Sequence, residues 1–136
     1  MKYKILDHTA DIMFEVYGKT LNELFKNVAI ATFDTMVKRS SITPKLKREI
    51  KIENKDPEKL LFDFIEELIY IKDAEYLIFK DFTIKIKDNK LKAVLEGDKI
   101  NHKKQILLTD VKAITLHKFS LKKLKNSYTA TMILDI

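Results

Sequence analysis

The chain has no cysteine, and only two glycines and two prolines among its 136 residues. Without thiols, disulfides, thiolate zinc sites and cysteine nucleophiles are excluded. So few glycines leave no phosphate-cradling loop, neither GxGxxG nor Walker A. Apolar runs are far shorter than a membrane span, and Met1-Lys2-Tyr3-Lys4 leads into no signal-peptide core. These absences point to the cytoplasm and to no membrane partner. What is present suits one globular domain: hydrophobic residues make up 46% and charged residues 34%, a balance that builds a core and argues against disorder. The formal charge of +6 favours approach to an acidic partner or RNA without identifying one, because the lysines are interleaved with Asp and Glu. Basic clusters at Lys45/Lys47/Arg48, Lys103/Lys104 and Lys122/Lys123/Lys125 fall in expected loops or strand ends, where a solvated surface is the default.

Periodicity gives the elements. Tyr3 to Leu6 reads as a short strand, and Ala10 to Tyr17 as a second, with Ile12, Phe14 and Val16 on one face and Asp11, Met13 and Glu15 on the other. Thr20 and Glu23 have capping-box spacing, and Leu21, Leu24, Phe25, Val28, Ala29, Thr32 and Met36 carry a helix to about residue 36. Burying Leu24, Phe25 and Val28 contributes about 1.5–3 kcal/mol each, enough to choose which face packs on a sheet. Leu46 to Glu53 alternates as a strand. Asp56-Pro57 opens a second amphipathic helix through Leu60, Leu61, Phe64, Ile65, Leu68 and Ile69, with Asp63, Glu66 and Glu67 on its other side. Residues 79–87 and 91–97 flank the turn Asp88-Asn89 as a hairpin, 98–109 is a polar, basic loop, and 110–116, 118–124 and 128–135 are expected strands. Hairpins plus two helices outside regular βα alternation indicate an α+β fold, a single-domain sheet sandwich with two amphipathic helices.

Three spots collect chemistry-bearing groups. Asp7-His8-Thr9-Ala10-Asp11 packs two carboxylates, an imidazole and a hydroxyl into five residues. Such a cluster supplies oxygen ligands to a hard cation or a general base, or forms a polar turn with Asp and Thr bonded to nearby backbone. In Asp110-Val111-Lys112-Ala113-Ile114-Thr115-Leu116-His117, Lys112 shares a nominal face with Ile114 and Leu116, so it is either at an exposed strand end or held for a purpose. His117 is a candidate base or a structural hydrogen-bonding group. Finally, the alternation continues through Leu134-Asp135-Ile136, so strand pairing is expected to order the end and hold the Asp135 carboxylate beside the α-carboxylate of Ile136. Two adjacent anions repel unless a cation or a Lys or Arg side chain lies between them.

Taken together and in this order, those three spots resemble the archease family. Leu60-Leu61-Phe62-Asp63-Phe64-Ile65-Glu66-Glu67-Leu68-Ile69-Tyr70 resembles that family's second helix, and Glu96-Gly97-Asp98 its glycine turn. The resemblance spans essentially the whole chain, so residues 1–136 are expected to form one archease-like domain. Departures are mild: Asp110 stands where the family usually has Glu, and Leu116 where it has Tyr. The resemblance implies an accessory protein and not an enzyme. Its expected partner is an RtcB-type tRNA-splicing ligase, whose guanylylation from GTP and multiple turnover it promotes. Modulation of a tRNA cytosine methyltransferase is a second implied role. The family fold is similar to the core of a redox-regulated chaperone. Carried over by position, the metal-binding carboxylates fall on Asp11 and Asp135 with the Ile136 carboxylate beside them, binding Ca²⁺ or Mg²⁺. The activating lysine falls on Lys112, and His8 matches the motif. A chaperone-like binding protein needs only an exposed sticky surface, and the lack of Cys removes redox switching as its control. A plain RNA-binding module fits less well, because no RNP-like aromatic–basic strand appears.

Overall fold

The computed structural model describes residues 2–8 and 10–136, with the backbone alone of Asp7 and His8. Seven strands and two helices follow in the order β1 (Tyr3–His8), β2 (Asp11–Gly18), α1 (Leu21–Met36), β3 (Leu46–Glu53), α2 (Pro57–Glu75), β4 (Leu77–Lys87), β5 (Lys90–Lys99), β6 (Ala113–Lys123) and β7 (Tyr128–Asp135), with a 3-10 turn at Arg39–Ser41. They form two antiparallel sheets, β1-β2-β7-β6 and β3-β5-β4, in a single-domain α+β fold. No helix among the described residues is long and apolar enough to cross a membrane.

Both helices start where local chemistry dictates. The Thr20 hydroxyl accepts from the Glu23 N–H at 3.1 Å, and the Glu23 carboxylate accepts from the Lys19 N–H at 3.3 Å. The first satisfies a donor that a helix start would otherwise orphan, and the second ties the residue before the cap to the first turn. At α2 the Asp56 carboxylate accepts from the Glu58 N–H at 3.0 Å, and Pro57 occupies the first turn, where its missing N–H costs nothing. Helix α1 is buried on most of its circumference and touches β2 of one sheet and β4 of the other. It forms the middle layer. Phe33 meets Phe79 and Phe82 on β4, with ring centroids 5.6 and 5.7 Å apart, and Phe25 stacks on Phe64 of α2 at 5.8 Å. On β2 the inward residues Ile12, Phe14 and Val16 are buried, so their alternating neighbours face outward.

Three expectations change. Residues 110–112 are not strand, and the two strands expected over 110–116 and 118–124 are one strand, β6, with a wide bulge: Thr115 pairs with Ile133 and Ser120 with Thr131. Lys118 takes the left-handed φ of 55° within it, and Leu116 is left 74% exposed. The interrupted pairing breaks the period of two, so Leu116 does not share the buried face of Ile114. Gly97 is not in a turn. It lies inside β5, between Leu46 and Phe79, where a Cβ would collide with the Ile78 carbonyl oxygen. Glycine is needed there for close backbone approach.

Candidate functional site

The two ends of the chain meet through β2 and β7. These strands pair in register from Gly18↔Tyr128 to Asp11↔Asp135, so the first residue of β2 stands directly opposite the last of β7. Since Ile12 and Leu134 point into the core, Asp11 and Asp135 both project from the outer face, and both are exposed. The Ile136 N–H donates to the Ala10 carbonyl at 3.4 Å. Ala10–Ile136 is therefore a hydrogen-bonded pair and Asp11–Asp135 a non-hydrogen-bonded one, the class with Cα atoms about 4.5 Å apart and side chains closest. Like charges directly opposite each other destabilise a sheet. Beside the pair, toward Met13 and Ile133, the outer face turns apolar, and Ile133 is 8% exposed.

The segment before β6 closes the other side. Ala113 pairs with Asp135, and the Lys112 N–H donates to the Asp135 carbonyl at 2.8 Å. Lys112 is exposed and forms no salt bridge among the described residues. A groove of ≈ 170 Å³ runs from Lys112, Ala113 and Ile114 to Glu66, Ile69 and Tyr70 of α2. The structure thus brings Asp11, Asp135, Ile136 and Lys112 to one corner. The His8 side chain lies outside the described residues; its backbone pairs opposite Ile12. His117 sits on the exposed β6 bulge, where its N–H donates to the Thr115 hydroxyl at 3.1 Å.

One residue escapes a reading of motifs. Lys72, in the last turn of α2, has a side chain only 5% exposed. Its ammonium donates to Asp110 at 2.7 Å and to the Val111 carbonyl at 2.9 Å, and pairs with Asp73 at 2.5 Å. It pins the two residues that precede Lys112 to the helix. The available signal was its place on the buried stripe, four residues after Leu68 and seven after Ile65.

Carboxylate oxygens of Asp11 and Asp135, with an oxygen of Ile136, are hard donors of the kind Ca²⁺ and Mg²⁺ take, the remaining positions falling to water or a partner. The donor chemistry fits such a cation. Among the described residues no group of three or more His, Asp or Glu side chains converges on one point.

The Archease protein family (MTH1598/TM1083) model matches residues 3–136. The chain is 41% identical over 140 residues to the protein archease of Pyrococcus abyssi, covering 99% of each. It is 37% identical over 139 residues to that of Archaeoglobus fulgidus, covering 100% of each. The solution structure of Methanobacterium thermoautotrophicum protein 1598 superposes with a TM-score of 0.86 at 33% identity, covering 98% of both chains. The crystal structure of an archease from Thermotoga maritima, described as a possible chaperone, shares the fold with a TM-score of 0.71 at 21% identity, over 98% of this chain and 96% of that one. A family model spanning nearly every residue, joined by relatives matched end to end, places this chain in the archease family.

Proposed function

We propose that this chain is a non-enzymatic accessory protein that promotes metal-dependent guanylylation and multiple turnover of an RtcB-type tRNA-splicing ligase. The observation that supports this most is the in-register opposition of Asp11 and Asp135 beside Lys112, three residues drawn from both ends of the chain. Two facing carboxylates cost stability unless something of opposite charge is brought to them. Asp11, Asp135 and Ile136 would hold a divalent cation, Ca²⁺ or Mg²⁺. A cation bound there would supply positive charge to neutralise phosphate oxygens. Lys112 offsets anionic charge at the edge of the corner and reaches for phosphate or for the ligase. The exposed position of these groups suits delivery to a partner's site, and no nucleophile–base pair with a phosphate cradle is present among the described residues to act alone.

The test is transfer of labelled GMP to purified ligase with catalytic amounts of this protein. Wild type raises the extent and number of turnovers, whereas Asp11→Ala and Asp135→Ala, folded by circular dichroism, do not. Full stimulation by both variants would sink the reading. Labelling of this chain itself, or GTP turnover without ligase, would make it an enzyme.

A second reading, a chaperone-like modulator of a tRNA cytosine methyltransferase, draws on a different surface. Ile5 and Leu6 on edge strand β1, with Ile106, Leu107 and Leu108, are all at least 40% exposed, and Tyr3, Ile5 and Leu108 share one cleft. If this surface carries the function, Leu108→Ser abolishes protection of the methyltransferase from aggregation while ligase stimulation persists.

A further inference from the structure

The outer face of the three-stranded sheet carries a charge pattern that folding alone does not require. At one end of this face a lysine meets carboxylates: Lys47 pairs with Glu96, with Nζ and carboxylate 3.5 Å apart, and Asp81 stands on the other side of Glu96, so this row holds two anions and one cation. The opposite end is cationic. Lys51 of β3, Lys92 of β5 and Lys85 of β4 stand directly opposite one another across all three strands. In the adjoining row Lys90 and Lys87 face each other, with Glu53 beyond. Ammonium groups placed in register repel.

The lysine end is concave. A trough of ≈ 710 Å³ is lined by Lys51, Lys85, Lys87, Lys90 and Lys92, together with Ile52, Leu91, Glu53 and Asp88. Glu49 reaches Lys51 at 3.3 Å and Lys92 at 3.7 Å, both surface pairs of little strength. With strands about 4.8 Å apart and same-face residues about 6.7 Å apart along each strand, the lysines are anchored on a backbone grid about 10 Å wide. That width accommodates one phosphodiester backbone.

We propose that this trough docks the phosphodiester backbone of a single-stranded nucleic acid. Three features choose that occupant. None of the exposed large hydrophobic residues lies on this face, so it lacks the desolvated apolar or aromatic anchors of a protein interface. For the same reason it lacks the apolar side chains that insert into a lipid surface. Nucleic-acid interfaces are polar and strongly positive, which is what the face offers. The lining contains no aromatic ring for base stacking, and its cationic groups are all ammonium point charges, so binding follows the backbone and ignores sequence. This site lies on the other outer layer of the molecule from Asp11 and Asp135, and the proposal does not depend on the ligase reading.

Fluorescence anisotropy of a mixed-sequence RNA of about 20 nucleotides, long enough to exceed a single groove, tests this. With up to about five phosphate contacts, log Kobs falls against log salt with a slope near −3.5, roughly a hundredfold loss of affinity between about 50 and 200 mM salt. DNA of the same sequence binds equally. Lys85→Glu with Lys92→Glu abolishes binding at about 50 mM salt. Lys122→Glu with Lys125→Glu, the same change in net charge on another part of the surface, leaves it within about twofold. Thermal melts verify folding, and Lys87→Gln with Lys90→Gln, conservative at the hairpin end, lowers the slope by about 1.4. Equal losses from both reversals, no binding at the lower salt, or tighter binding of poly-glutamate or anionic vesicles than of RNA would each overturn the proposal.

Discussion

Replacing Lys72 by Met tests whether the segment that presents Lys112 is held by one buried ammonium. The substitution keeps the apolar stem of the side chain and removes the charge. Truncating one partner of a fully buried ion pair costs about 3–5 kcal/mol, because the other charge is left stranded. Here the geometry argues for far less. The Asp110 and Asp73 side chains are 67% and 55% exposed, so both carboxylates return to water. Only the Val111 carbonyl loses a partner in the interior, a charge-assisted bond of about 1.5–3 kcal/mol, and relief of the buried ammonium's desolvation offsets part of that. The expected net loss is about 1 kcal/mol, a fall in Tm of about 4 °C for a chain of this size. The local effect is larger. Freed from α2, residues 110–112 lose the order that aligns the Lys112 N–H with the Asp135 carbonyl. Hydrogen exchange should show the Lys112 amide deprotected while amides of the core strand β5 keep their protection, and GMP transfer to ligase should fall with it. A Tm loss above about 10 °C would show that the ion pair supports the whole core. A protected Lys112 amide in a folded variant would show that Lys72 positions nothing.

Asp11→Asn removes one of two facing charges, so without divalent cation the variant gains about 0.2–1 kcal/mol in urea unfolding, while cation-dependent stabilisation shrinks; a loss of stability would mean that the pair is not repulsive. Gly97→Ala forces a methyl group into the Ile78 carbonyl and should cost about 2–4 kcal/mol by the same measurement; a cost below about 0.5 kcal/mol would show that β4 shifts freely. The Tyr3 phenol donates to Asp34 at 2.8 Å, and burial, then that hydrogen bond, pushes its pKa from 10.0 up to about 12. Between those values the unfolded phenol ionises while the folded one stays neutral, so its contribution is whole below pH 10 and lost toward pH 12. Stability of Tyr3→Phe should therefore fall less steeply than wild type across that window; parallel curves would remove Tyr3 from the linkage.

Where a structural decision depended on residues a few positions apart, it was legible in the sequence. The Thr20–Glu23 box and the Asp56-Pro57 start appear as read, because a cap satisfies donors within its own turn. The alternation of β2 placed Asp11 on the outer face, since the period of two is a property of any strand. Register was another matter. That Asp11 stands opposite Asp135, with Lys112 hydrogen-bonded beside it, depends on pairing across more than a hundred residues; the family pattern implied this convergence and spacing did not. In the sequence the β6 bulge at Leu116 to Phe119 has the pattern of a break between strands, because local periodicity cannot tell an interruption in pairing from the end of a strand. The position of Lys72 on the buried stripe of α2 is local, but its partners, Asp110 and the Val111 carbonyl, come from almost forty residues away. The basic clusters visible in the sequence are not the ones the fold gathers. Lys85 and Lys92 face each other across the β4–β5 hairpin, but Lys51 is more than thirty residues away, and only the pairing of β3 with β5 sets all three in one row.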